Sequence, residues 1–194
     1  MKIRATFIAA AILCLFATPA LPEPGGESVA DIFRHVDGYD FRKTRWGMTP
    51  AEVIKSEDLI IRNNFTVNID GTPYEKVNIE YVANTNAYSI SITYNFEKNI
   101  LVMVNVRLNK DLAPKKEHME NLVNIRRAIV GAYGQPRGEY TNGSDTDGFL
   151  MSSQWQTDRT YIFLTLYESG RNEYLFSVDY TEISYFDRQS AGAP

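Results

Sequence analysis

Cysteine is nearly missing from this 194-residue sequence: Cys14 is the single one. It lies in an apolar N-terminal run that reads as a removable leader, so the mature chain is expected to hold no thiol. That excludes a disulfide framework, a thiolate metal site and a cysteine nucleophile together. Leu13 before it is not the small residue that lipoprotein processing takes, so lipidation is not expected either. Histidine is almost as scarce, with only His35 and His118. No G-x-S-x-G elbow surrounds a serine, and Glu117-His118 lacks the second histidine of a zinc-protease helix. The glycine patterns that cradle phosphates are absent too. Charge of one sign is modest: Lys+Arg 20 against Asp+Glu 24. Lys2 and Arg4 fall in the leader, so 18 basic against 24 acidic residues remain, a net −6. That balance has no electrostatic footprint for nucleic acid or an anionic membrane face.

The longest apolar run, Ala5–Ala17, has 13 residues, too few for a bilayer span of about 20. Lys2 and Arg4 precede it, and Thr18-Pro19-Ala20 offers small residues at a cleavage site. This is the three-part secretory pattern. Residues 1–20 are therefore expected to be an export signal, and the protein periplasmic or secreted, with no membrane span. Residues 21–30 read as a disordered lead-in rich in proline and glycine, and 187–194 as a flexible tail. The rest, 31–186, is expected to be one α+β domain. At 44% hydrophobic and 23% charged, the full 194-residue sequence has the composition of an ordinary globular protein.

Local signals mark the elements. Thr49-Pro50-Ala51-Glu52 predicts a capped helix start, with Met48 and Val53 as a hydrophobic staple. That helix is expected to end between Ser56 and Asp58. Val77–Tyr81, then Tyr88–Asn95 against Ile100–Leu108, alternate with period two and read as strands, with Phe96–Asn99 as a hairpin break. Pro114 opens a second helix, with Met119, Leu122, Val123, Ile129, Val130 and Tyr133 at helical spacing, and Gly134-Gln135-Pro136 stops it. Three more alternating runs follow: Phe149–Trp155, Tyr161–Tyr167 and Tyr174–Tyr180. Thr157–Arg159 and Glu168–Asn172 are the hairpin loops between them. The fold class expected is α+β: an antiparallel sheet of about six to eight strands in two helix-then-strands halves, 45–110 and 111–186. Both helices are expected on one face. No third amphipathic helix of useful length is evident, so the other face is left to solvent, a second copy or a partner.

Gly47-Met48-Thr49 followed by Val53 resembles the helix opening of small secreted bacterial domains. The beta-lactamase-inhibitor-protein domain carries it, as does the outer-membrane-assembly lipoprotein of the BamE/SmpA type. Trp46 and the later Tyr133-Gly134-Gln135-Pro136 are similar to a wider set of periplasmic proteins with a helix-then-sheet plan. The resemblance implies a fold and an envelope setting, and it transfers no binding residues, because the chain lacks the inhibitors' disulfides and the lipoprotein's cysteine.

No catalytic residue, cofactor or metal site is expected. His118 reads as a packing histidine. Asp145-Thr146-Asp147-Gly148 resembles half a calcium loop, but with Gly148 on the invariant glycine, Gly143 falls at the first ligand position and Gln154 at the closing one. The run Asn142–Gly148 is expected to be a polar turn, a weak calcium site being the alternative. What stands out is tyrosine: twelve, all in the mature chain. Most are expected to pack, with some forming a recognition surface on the last three strands. Trp155, Tyr161 and Tyr174 are the candidate binding residues. The expected function is an exported non-catalytic binding module for an unknown protein partner. The alternatives are an envelope hydrolase with an unrecognised carboxylate pair, or an envelope-assembly accessory factor. Converging acids in a cleft would favour the hydrolase; an exposed apolar patch would favour either binding role.

Overall fold

The computed structural model describes residues 29–59, 65–70, 76–84, 89–109, 115–144, 148–168 and 174–191. The expected export signal, most of the lead-in, Pro114 and the run Asp145–Asp147 lie outside the described residues.

Helix α1 (Val29–Ile32) and α2 (Pro50–Ser56) precede four strands, β1 (Phe65–Asp70), β2 (Lys76–Asn84), β3 (Ser89–Glu97) and β4 (Ile100–Asn109). Helix α3 (Lys115–Tyr133) leads to β5 (Gly138–Ser144), β6 (Gly148–Gln156), β7 (Thr160–Glu168) and β8 (Tyr174–Glu182), and α4 (Ile183–Ala191) ends the fold. The strands form one open sheet in the order β1-β2-β3-β4-β8-β7-β6-β5, with every pairing antiparallel. The fold is α+β, as expected.

Register sorts the side chains into two faces. Tyr94 stands opposite Ile79 and Val104, Val104 opposite Tyr180, and Tyr180 opposite Ile162, which faces Trp155. These residues form the inner face, and they share one core cluster with Val53 of α2 and Leu122, Ile125 and Ile129 of α3. The outer face carries Thr93, Asn105, Asp179, Phe163 and Gln154 in one row.

Helix α2 opens as its sequence predicts. Thr49 has extended backbone, its N–H donates to Glu52 Oε2 at 2.8 Å, and Glu52 N–H donates back to Thr49 Oγ1 at 3.4 Å. Gly47 has φ +88°, a conformation that costs a side-chain-bearing residue stability. At its start β4 runs past the end of β8, and there Gly47 and Met48 take the place of a neighbouring strand. Gly47 N–H donates to Leu101 O at 3.0 Å, and Leu101 N–H to Met48 O at 2.8 Å. The β3–β4 hairpin closes on Lys98 and Asn99, both at positive φ, the two-residue turn whose twist matches its strands.

Three expectations need correction. The buried stripe of α3 is His118, Asn121, Leu122, Ile125 and Ile129, while Val123 is half exposed. Ile125 is the residue that the helical spacing had left out. Second, β1 and β5 are strands that the sequence pattern did not reveal. Gly138–Ser144 (GEYTNGS) has no apolar alternation and owes its conformation to pairing with β6. Third, residues 187–191, expected as part of a loose tail, continue α4. Helix α4 lies against the outer face, where the Phe186 ring sits 4.7 Å from that of Tyr161 and 5.7 Å from that of Phe163. Residues 187–191 are polar or small and gave no sign of order by themselves; the Phe186 contact anchors the helix they continue.

Candidate functional site

The three residues expected to bind do not come together. Trp155 is 1% exposed on the inner face, where its indole N–H donates to Gly134 O at 2.8 Å. It thereby fastens β6 to the carbonyl just beyond α3. Tyr174 is also on the inner face, stacked on His118 at 4.4 Å with its hydroxyl donating to Glu168 at 2.9 Å. His118 is the packing residue the sequence suggested. Tyr161 alone stands on the outer face, half-buried against Phe186. Packing, the other role open to these three, is what the surroundings of Trp155 and Tyr174 support.

The outer face has two regions. Across β3, β4 and β8 a polar ladder runs: Asn95 Nδ2 donates to Asn105 Oδ1, and Asn105 Nδ2 to Asp179 Oδ1, each at 2.6 Å. Ser91 Oγ donates to Glu80 at 2.6 Å beside it. This is the polar face that the alternation of Ser89, Ser91, Thr93 and Asn95 implied, with Ser91 itself buried. Across β6, β7 and β8, Leu150, Tyr167 and Leu175 are direct register partners in one row. Tyr167 is 47% and Leu175 49% exposed, and Tyr140 on the edge strand β5 is 53% exposed. Sequence reasoning missed this group. Its signal was parity: once Leu164 and Leu166 face inward, Tyr167 must face outward.

A second site lies at one rim of the sheet, built by the segment before α2. Gly38, at φ +79°, turns the chain so that Tyr39 N–H donates to Val36 O at 3.0 Å. A bridge between Phe41 and Thr44 then folds the segment tightly over Arg42, itself at positive φ. Asp40 Oδ2 accepts from Trp46 N–H at 2.8 Å, and the Trp46 indole donates to Thr160 Oγ1 at 2.9 Å. These bonds pin the segment to the β6–β7 hairpin, whose Arg159 Nη2 lies 3.2 Å from Asp40 Oδ2. Between them and the end of α3 is a cleft of about 440 Å³, lined among others by His35, Tyr39, Asp40, Tyr133, Asp158 and Arg159. A hollow of about 520 Å³ adjoins it, sharing His35 and Ala132.

Under this cleft two phenols are strongly perturbed. Burial pushes the Tyr180 hydroxyl well above its ordinary value, and the Tyr133 phenol beside it adds to the shift. Burial likewise raises Tyr133, with the Asp40 carboxylate contributing in the same direction. No hydrogen bond of good geometry reaches the Tyr180 hydroxyl among the described residues. Both phenols thus stay neutral at ordinary pH and do not act as bases there. Among the described residues there is no group of three or more metal-ligating side chains. No described helix is long and apolar enough to cross a membrane.

Comparison with family models, with curated proteins and with solved structures finds no match to this chain.

Proposed function

We propose that the protein is an exported, non-catalytic binding module. It engages a protein partner, in the periplasm or outside the cell, through the outer face of β6, β7 and β8. The observation that carries this reading is the row Leu150–Tyr167–Leu175, with Tyr140 beside it. Aromatic and aliphatic side chains in line on adjacent strands, flanked by a hydrogen-bonded polar region, match the anatomy of an interface core with its rim. The reading takes the chain as two helix-led halves, 45–110 and 111–186, with α2 and α3 on the inner face. That leaves the outer face of the second half to the partner, with α4 bounding it. The likeness of Gly47-Met48-Thr49 and Val53 to small secreted domains supports the envelope setting. Binding of this kind calls on no cofactor, nucleic acid or membrane span.

The test is capture of envelope proteins by the immobilised protein, compared with a Tyr167→Ser/Leu175→Ser variant. Truncating such anchors costs about 2 kcal/mol or more, so the variant is expected to lose its partner while its melting temperature holds. Alanine at Trp155 or Tyr174 is expected instead to lower the melting temperature. A partner retained by the double variant, at unchanged affinity, refutes this surface.

A further inference from the structure

We propose that the rim cleft between the end of α3, residues 35–40 and the β6–β7 turn is a binding site for a small organic ammonium ion, independent of the outer-face surface. Its floor is negative. Asp40 is buried, and its Oδ2 serves Trp46 N–H and Arg159, while Oδ1 takes no hydrogen bond from any described residue. Asp158 lines the same cleft. The C-terminal end of α3 reaches it through Ala132 and Tyr133, and the last turn of that helix holds no basic residue to offset its partial negative charge.

The walls are aromatic. Tyr39, Tyr133 and His35 line the cleft, and the Tyr39 ring already holds a cation, the Arg45 guanidinium 4.9 Å from its centroid. A carboxylate with adjacent aromatic faces is the chemistry that selects ammonium groups over anions and neutral molecules. The cleft's volume, about 440 Å³, is that of a small-molecule site.

The one basic side chain reaching Asp40 among the described residues is Arg159, and its position explains how the site exists without a ligand. Its guanidinium is half exposed, and it meets Asp40 at 3.2 Å. It acts as a tethered occupant: it neutralises the buried carboxylate when the cleft is empty and swings to solvent when an ammonium ion arrives. Removing that arginine should therefore tighten binding of a cation, whereas an anion site would lose its main donor.

Amide spectra of the purified protein titrated with choline chloride test this, with sodium chloride as background. The uncharged isostere 3,3-dimethylbutan-1-ol and sodium acetate are the comparison arms. Choline is expected to move the amides of Tyr39, Tyr133 and Arg159 saturably, with half-saturation on the order of 1 mM. The isostere and the Asp40→Asn variant should each bind about tenfold more weakly. Arg159→Gln should bind choline about threefold more tightly or better. Equal response to the isostere, response to acetate alone, no shift by choline at about 10 mM, or weaker choline binding by Arg159→Gln each overturns the proposal. Should Asp40→Asn unfold through loss of its contact to Trp46, the isostere and Arg159→Gln arms still decide. The outer-face test uses other residues and another ligand, so either reading can fail alone.

Discussion

Raising the pH above about 10 should unfold this protein through two phenols. Tyr180 lies wholly inside the core, between the rings of Phe41 at 4.7 Å and Tyr133 at 6.0 Å. Burial first, and then its neighbour, holds its proton well past the ordinary tyrosine range. Tyr133 is raised for the same reason, with the charge on Asp40 adding to it. In the unfolded chain both ionise near 10. A group whose folded-state value is raised contributes its stability in full below the unfolded value and loses it as pH climbs. Each phenol therefore removes about 1.4 kcal/mol per pH unit above 10, and the pair about 2.7. Two pH units of this amount to about 5 kcal/mol, the scale of a whole domain's stability. Tyr185 on α4 is raised too, by partial burial and by Glu97, but solvent screens it and it adds little. Tyrosinate absorbance and far-ultraviolet ellipticity recorded on one titration provide the assay. The last phenols to ionise should do so in one cooperative step, together with loss of ellipticity. In Tyr180→Phe the fall of stability with pH should be shallower by about 1.4 kcal/mol per pH unit. Ionisation of every tyrosine with ellipticity intact, or an unchanged slope in Tyr180→Phe, would refute the argument.

The opening of α2 makes a smaller prediction. Thr49→Ala should cost about 1 kcal/mol in denaturant unfolding by removing the cap. Gly47→Val should cost more, because its φ is +88° and a β-branched residue is an outlier there. As a Cβ at Gly47 meets nothing within 4 Å, the loss is conformational, and Gly47→Asn should recover much of it. The buried pair of Arg42 and Glu57, 3.0 Å apart with both side chains largely enclosed, should dominate its region. Glu57 also accepts from Lys43 N–H at 3.1 Å. Glu57→Ala should cost about 3–5 kcal/mol by chemical denaturation, and a change below about 1 kcal/mol would mean that Arg42 relaxes into solvent.

How much of this was legible beforehand depends on the range over which each cause acts. Thr49 and Glu52 are three residues apart, so the capping box was readable and is present. Gly134 at φ +80°, its N–H donating to Val130 O, ends α3 where its sequence said it would. The alternation of Ile90, Ile92 and Tyr94 against Ser91, Thr93 and Asn95 named a half-buried strand by itself. These are local matters of backbone preference and period, decided within one turn or a few pleats. Strand β5 escaped because it has no such pattern and is shaped by its neighbour β6, while the short helix α4 is placed by Phe186 on Tyr161 and Phe163.

The candidate sites were harder still. Alternation says that Trp155 and Gln154 point opposite ways, but only pairing across the whole sheet says which way is inward. That choice put Trp155 and Tyr174 in the core and left Tyr167 and Leu175 outside. The rim cleft depends on Trp46 meeting Thr160, 114 residues away, and on Asp40 meeting Arg159. The sequence alone determined the α+β class, the absence of thiol chemistry from the described domain, and the strand and helix cores whose cause is local. Tertiary structure alone decided the faces, the placing of α4 and every side chain in both sites. A strand's period is written in its own residues, whereas its facing and its partners are settled by which distant strands share its hydrogen bonds.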